Sequence, residues 1–280
     1  MKMTNNLDKK TVSGFGDEWE RFDQSKLTDS QALNSFQNYF SIFPWDILPD
    51  EPKGFDLGCG SGRWAKFVAP EVKSLYCIDP SSALDVARNN LKEFKNCFFL
   101  SESVDNISLE DSSMDFGYSL GVLHHIPDTQ QGIRDCVRKL KPYAPFLLYL
   151  YYAFDSKPFW FKLIWKISDL LRAVISRFPY PIRYFITQLI ALLIYWPLAR
   201  LSLLLQKLRF PVSSIPLNYY KDLDFYWMRT DALDRFGTRL EKRFTKKQIE
   251  EMMKVAGLER IKFSSKEPFW CAVGYRSVDG

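Results

Sequence analysis

The stretch D-L-G-C-G-S-G, Asp56 to Gly62, places an acid and three glycines directly after a short apolar run. Glycine lets the backbone turn tightly and lets a ligand approach it closely, and a helix starting just beyond offers free N–H groups. A second acid, Asp79, ends the next apolar run, 21 residues after Gly58. A carboxylate there can accept hydrogen bonds from both hydroxyls of a ribose. Turn, acid and spacing together point to an adenosine-containing cofactor. The third glycine of a dinucleotide fingerprint is replaced by Arg63, and Asp56 precedes the glycines by two. An acid at that position suits a ligand with a cationic amino group and repels a pyrophosphate.

The chain has two histidines, His124 and His125, adjacent in L-H-H-I-P. Imidazole titrates near neutrality and can take a proton from a hydroxyl, an amine or an acidic carbon, so both are candidate catalytic residues. The competing reading is a structural turn whose rings bond to backbone. Trp19, Tyr220 and Arg229 are candidates for holding an acceptor, the last two within a polar, aromatic run. The five cysteines are scattered, with no C-x-x-C pair. Reduced intracellular thiols are expected, with neither disulfides nor a metal site.

These residues need elements to hold them. K-G-F-D-L, V-K-S-L-Y-C-I-D, C-F-F-L and M-D-F-G-Y-S-L-G-V-L read as strands alternating with helical periods, and P-F-L-L-Y-L-Y-Y-A-F reads as a strand buried on both faces. That alternation implies an α/β fold with a parallel sheet. Asp128 with Gln131, and Thr245 with Gln248, are spaced as capping boxes. L-E-R-I-K-F-S and F-W-C-A-V-G-Y-R-S close the chain as a strand pair.

With D-L-G-C-G-S-G, I-D-P-S and S-S-M-D-F-G-Y-S-L-G-V-L-H-H-I-P-D in place, the chain resembles the class I S-adenosylmethionine-dependent methyltransferases, over 53–153 and again over 245–276. The last run is similar to that of the small-molecule branch, which includes the quinone and sterol C-methyltransferases. The resemblance implies a Rossmann-like, mostly parallel sheet with a C-terminal antiparallel hairpin, and S-adenosylmethionine as cofactor. It implies that Asp56 and the backbone of Gly58, Cys59 and Gly60 hold the methionine moiety. Asp79 would hold the ribose, with Pro80 beside the adenine, and Leu120 and Gly121 would lie under the methionyl part. Ser103 and Val104 stand where the family commonly has an acid and a small residue at the adenine amino group. F-G-D-E-W with Phe22 resembles the N-terminal segment of some such enzymes.

The expected organisation is a helical N-terminal segment over the cofactor site (1–52), an α/β core (53–153), a helical insertion after the fifth strand (154–244) and a C-terminal completion of the core (245–280). The insertion differs in character from its host. From Ser156 to Phe210 there are nine basic residues and one acidic, whereas the whole chain is only +5. The periodicity predicts a helix over 159–178, with Lys162, Lys166, Asp169, Arg172, Ser176 and Arg177 on one side and an aromatic and aliphatic face opposite. A basic stripe along a wide apolar face is how a helix lies in a membrane interface. The next run has sixteen uncharged residues between Arg183 and Arg200. Pro197 is expected to kink or end it near Trp196, leaving it short of the roughly 20 apolar residues a span needs.

The expected function is methyl transfer to a hydrophobic small-molecule or lipid-linked acceptor, in the cytoplasm and peripherally on an anionic membrane face, with no nucleic-acid partner. The mild net charge gives no argument for nucleic acid, and the polar N-terminus gives none for a secretory signal. Two alternatives stand beside it. One is a soluble enzyme with a polar acceptor, the insertion serving as lid or homodimer surface. The other is a non-catalytic cofactor-binding scaffold. The atom methylated is not legible.

Overall fold

The computed structural model describes residues 6–22, 29–155, 157–212 and 215–278; the parts of the N-terminal segment at 1–5 and 23–28 lie outside the described residues. Among the described residues, those up to Asp155 and those from Leu240 onward form one compact unit, and 157–239 form a second.

The first unit is built on seven strands: β1 (Lys53–Leu57), β2 (Ser74–Ile78), β3 (Cys97–Leu100), β4 (Phe116–Leu120), β5 (Pro145–Tyr149), β6 (Leu258–Phe263) and β7 (Cys271–Arg276). They lie in the order β3-β2-β1-β4-β5-β7-β6, parallel except that β7 runs antiparallel to both β5 and β6. This is the expected sheet, hairpin included. The apolar strands follow from burial on both faces. On β5, Phe146 and Leu148 join one core cluster with Ile133, Ile249 and Met253. Leu147, between them, joins the cluster on the other face with Phe40, Trp64 and Leu84. Gly54 and Gly117 each sit opposite a phenylalanine of the neighbouring strand, Phe116 and Phe55 respectively. A Cβ on either would lie within 2.3 Å of that ring, so small and large side chains alternate across the β1–β4 seam.

Helices α1 (Lys9–Arg21), α2 (Asp29–Tyr39), α3 (Ala65–Val68), α4 (Ala83–Asn90) and α5 (Thr129–Lys139) belong to this unit. Helix α1 is capped by Asp8, whose side chain accepts from Thr11 N at 2.7 Å, and it packs against α4. Asp128 caps α5 through Gln131 N.

The second unit contains α6 (Phe159–Ile175), α7 (Tyr180–Ile190), α8 (Trp196–Lys207) and α9 (Phe225–Gly237). The last helix of the chain, α10 (Lys246–Val255), returns to the first unit and starts with a complete Thr245/Gln248 capping box. Pro197 neither ends nor interrupts the helix. A π-helical turn, Ala191–Tyr195, joins α7 to α8 in one helix of 28 residues, Tyr180–Lys207. The reason lies in its buried stripe: Thr187, Ala191, Tyr195 and Ala199 recur every fourth residue. An α-helix would rotate such a stripe by about 40° at each step, and one wider turn takes up the drift. The wider turn sits directly before Pro197, whose ring cannot take part in an α ladder. By length and composition this helix is long and apolar enough to cross a membrane, so the expectation that it falls short is corrected.

The charges of this unit also depart from expectation. Arg172 does not form part of an outward basic stripe. It is buried, bonds Asp169 at 2.7 Å, and donates to the carbonyls of Thr238 and Arg239, which end α9. A cation there meets the orphan carbonyls and negative dipole end of that helix. Arg200 likewise donates to the carbonyls of Lys221 and Leu223, and Arg235 lies 3.7 Å from Asp169. Helix α6 therefore turns much of its polar stripe toward α9 and its apolar face outward. Phe159, Leu170 and Leu193 are 80%, 69% and 66% exposed, among many large apolar side chains along α6 to α8. The small internal cluster is Ile175, Ala191, Tyr195, Ala199, Met228, Ala232 and Phe236.

Candidate active site

The site grows from the C-terminal ends of β1, β2 and β4. The N–H groups of Gly58 and Cys59 both bond Ile78 O, at 2.7 and 3.2 Å, which pins the glycine turn to the neighbouring strand. Gly58 and Gly60 have φ of +74° and +54°, the left-handed region that favours glycine. A Cβ on Gly60 would lie 3.1 Å from Nε1 of Trp19, so α1 covers the turn at close range. Arg63, over the Trp64 ring at 4.1 Å, is 5.9 Å from the Trp19 ring.

Asp56 and Asp79 are both buried. Asp79 is pre-positioned: Oδ2 accepts from Gly60 N at 3.0 Å, and Oδ1 accepts from Ser81 N and Oγ at 2.9 and 2.6 Å. Burial nonetheless raises its carboxyl above the ordinary range. Asp56 is different, because Oδ2 has no hydrogen-bond partner and neither does the Tyr118 hydroxyl. Burial pushes its carboxyl up to about 8; the nearby Tyr118 hydroxyl opposes this and the Asp79 charge adds to it. An unpartnered carboxylate oxygen in the interior is costly unless a ligand completes it.

The remaining cofactor candidates lie around this pair. Pro80 follows Asp79 and is exposed. Leu120 ends β4, and Gly121 N donates to Tyr149 O. Val104 is buried and Ser103 Oγ donates to Asp105. Asp105 supplies an acid two residues past Ser103, and it also accepts from Asn6 N at 3.0 Å.

His124 and His125 sit in a short 3-10 turn, Leu123–His125, after β4. His124 is 0% exposed, and neither ring nitrogen has a partner. Burial, with His125 and Arg243 adding, holds it well below the ordinary histidine range, so its ring is neutral. It lies 3.8 Å from the Tyr151 ring and 3.9 Å from His125, centroid to centroid. His125 Nδ1 is 2.7 Å from Leu240 O. A carbonyl can only accept, so Nδ1 carries the proton and the lone pair is on Nε2. Arg243, paired with Glu241 at 2.9 Å, lies 5.0 Å from the rings of both Tyr151 and Phe154. No sequence pattern marks Glu241 or Arg243, which reach the histidines only through the chain's return after 239; Tyr151 lies two residues past β5. Tyr220 and Arg229 belong to the second unit, where Tyr220 Oη donates to Asp231 at 2.8 Å and Arg229 bonds Gln188 and Tyr184.

Strand order, hairpin and glycine turn define the first unit as a class I, Rossmann-like methyltransferase fold. Residues 55–148 match the family described as "Methyltransferase domain". It is 30% identical over 111 residues to the Probable tRNA methyltransferase 9B of Mus musculus, which is 38% of this chain and 24% of that protein. It is 27% identical over 89 residues to the Ubiquinone biosynthesis O-methyltransferase of Coxiella burnetii, 31% of this chain and 38% of that one. The chain thus matches well under half the length of these curated relatives. A solved SAM-dependent methyltransferase from Thermotoga maritima shares the fold over 94% of this chain and 99% of its own, at a TM-score of 0.50 and 14% identity.

The residues fit S-adenosylmethionine, the cofactor of this domain. The unpartnered oxygen of Asp56 calls for a cation, and the cofactor carries an ammonium and a sulfonium. Asp79 accepts one bond at Oδ2, which leaves a lone pair for a hydroxyl donor.

Proposed function

We propose that the protein transfers the methyl group of S-adenosylmethionine to a hydrophobic small-molecule or lipid-linked acceptor at a membrane surface, on its cytoplasmic face. The cofactor supplies a methyl carbon already activated on a sulfonium, so the protein's tasks are alignment, exclusion of water and removal of a proton. Asp56 holds the ammonium end and Asp79 the ribose. Trp19 closes over the glycine turn, a position that supports a role in shaping the space for the acceptor. His125 is the better placed of the two candidate bases. Its Nδ1–H is fixed on the Leu240 carbonyl, which aims a defined lone pair at Nε2. His124, neutral and buried, lies tilted against the Tyr151 ring and serves as an uncharged neighbour of His125. Within the second unit, Arg229 and Tyr220 are bonded to internal partners, which supports a scaffold role for both rather than acceptor binding.

The observation that carries the acceptor class is the outward apolar face of α6 to α8. Monomeric soluble proteins rarely expose so continuous a patch. Arg172 and Arg200 are engaged inside, so attachment rests on this apolar face, aided by Lys162, Lys166 and Arg177 at its flank. The test is co-sedimentation of the full chain with vesicles of phosphatidylcholine alone and with added phosphatidylglycerol, at low and raised salt. Binding to both, stronger and salt-sensitive on the anionic vesicles, is the expected result. Failure to bind either would replace the membrane by a second copy of the chain on the same face and turn the acceptor search to soluble metabolites.

A further inference from the structure

The chain returns to the first unit at Leu240, and residues 240–244 bind both histidines before α10 begins. His125 Nδ1–H donates to Leu240 O at 2.7 Å. Lys242 N donates to His124 O at 3.0 Å, and the Lys242 ammonium donates to Pro127 O. Phe244 N donates to Tyr151 O at 2.8 Å and Phe244 O accepts from Ala153 N at 3.0 Å, a parallel bridge between Phe244 and Tyr152. The segment is a strap that ties the turn after β4 to the chain after β5. That is the edge at which open α/β sheets bind their ligands.

A side-chain pair within the strap fixes it further. Arg243 Nε bonds Glu241 Oε1 at 2.9 Å, and the two side chains are only 13% and 1% exposed. The same guanidinium donates to Tyr152 O at 3.2 Å and lies 5.0 Å from the rings of Tyr151 and Phe154. A planar fork can serve a carboxylate, a carbonyl and two rings together, which the point charge of a lysine does not match. Its charge also reaches His124, where it helps to keep that ring neutral. A buried ion pair adds little to stability, because desolvation offsets much of the attraction; its best-attested use is to fix one arrangement among several. The arrangement fixed here is Leu240 O on His125. A neutral imidazole can carry its proton on either nitrogen, and an acceptor held at Nδ1 leaves the lone pair on Nε2.

We propose that Arg243, locked to Glu241, is a positioning residue for methyl transfer: it holds the 240–244 strap so that Leu240 O selects the Nδ1–H tautomer of His125. Neither Arg243 nor Glu241 needs to touch the cofactor or the acceptor. The inference rests on His125 as the base of the proposed reaction, but the state of the ring can be read without turnover.

The test is nuclear magnetic resonance of the full chain labelled with nitrogen-15 at histidine, near neutral pH. The chain has two histidines, so two rings give signals, and H125Q assigns them. The parent is expected to show one form of His125, protonated at Nδ1 and bare at Nε2. Two variants probe the strap. E241Q/R243Q removes the pair without stranding a buried charge, and R243K keeps the cation but loses the fork. Both are expected to populate the Nε2–H tautomer, the double variant more. The expected change in tautomer ratio is about two- to tenfold, the worth of one hydrogen bond. S-adenosylhomocysteine should bind parent and variants alike, since Asp56 and Asp79 lie outside the strap, and this marks the variants as folded. Parent His125 signals in either variant, with that affinity intact, would overturn the proposal, as would a parent ring protonated at Nε2. Failure of His125 as the base would leave these tautomer shifts in place and show only as undiminished turnover in His125→Ala, so the two failures are distinct.

Discussion

The two most informative residues for experiment are Asp56 and His124, because burial moves them in opposite senses. The carboxyl of Asp56 is raised to about 8, so the folded chain keeps a proton that the unfolded chain gives up from about pH 4 upward. Its contribution is present below the unfolded value and is lost as pH rises through 8. His124 is depressed, so its contribution is present above about pH 6.5 and is lost as pH falls below that value. Between about pH 6.5 and 8 the His124 contribution is complete and the Asp56 slope remains, so the cofactor-free protein is expected to melt lower as pH rises through that window. Asp56→Asn should flatten the slope and raise the melting temperature near pH 8; an unchanged slope would mean that the buried carboxylate is answered by something else. The same proton predicts binding. S-adenosylhomocysteine, which carries the ammonium, should release a proton at pH 7, seen as a calorimetric enthalpy that varies with buffer, and bind Asp56→Asn far more weakly. At the acceptor end, His125→Ala should lower turnover by about 10²–10⁴ with cofactor affinity unchanged, as loss of a general base does. Parallel loss of cofactor affinity would mark His125 as structural. Much of this was legible in one dimension: Asp56, Gly58, Gly60 and Asp79 are separated by a turn and a single crossover, which strand spacing makes visible. Glu241 and Arg243 were not, because the return of the chain at Leu240 is a long-range closure with no local periodicity.

At the level of elements, the α/β alternation could be read because the central strands β1, β4 and β5 lie between two covered faces and α1, α5 and α10 start on side-chain caps, Asp8, Asp128 and Thr245. The π turn before Pro197 was not legible, since the four-residue stripe that requires it only becomes visible once Thr187, Ala191, Tyr195 and Ala199 are known to be buried. Nor was the direction in which α6 faces. Its apolar and polar sides are evident from the sequence, but an amphipathic helix usually turns the polar side to water, and here Arg172 is drawn inward by the carbonyl end of α9. Two sets of substitutions separate the consequences. Replacing Lys162, Lys166 and Arg177 by glutamine should weaken binding to anionic vesicles by about fivefold per charge and leave the melting temperature unchanged. Arg172→Gln leaves carbonyls and Asp169 without their partner, so it should lower stability by about 2–4 kcal/mol with little specific effect on vesicle binding. Circular dichroism melts beside co-sedimentation read both. Equal effects of the two sets on binding would return Arg172 to the outer surface.

The molecule as a whole joins two bodies of opposite polarity. In the first, Phe146, Leu147 and Leu148 are fully buried and the exposed surface is mixed. In the second, Arg172, Arg183, Thr187, Ser202 and Thr230 are buried while Phe159, Leu170 and Leu193 face outward. Each has its own apolar cluster, so each has its own source of cooperativity. Two thermal transitions are therefore expected, and ligands should address them separately. S-adenosylhomocysteine binds only the native glycine turn, so at a hundredfold excess over its dissociation constant it should stabilise the first unit by about 2.7 kcal/mol and leave the other transition in place. Vesicles or an uncharged detergent should shift only the second, because they cover surface that water otherwise wets. A scan in which both additives move one common transition would show that the two cores unfold as one, and the separation of cofactor chemistry from surface attachment would then fail as an account of this chain.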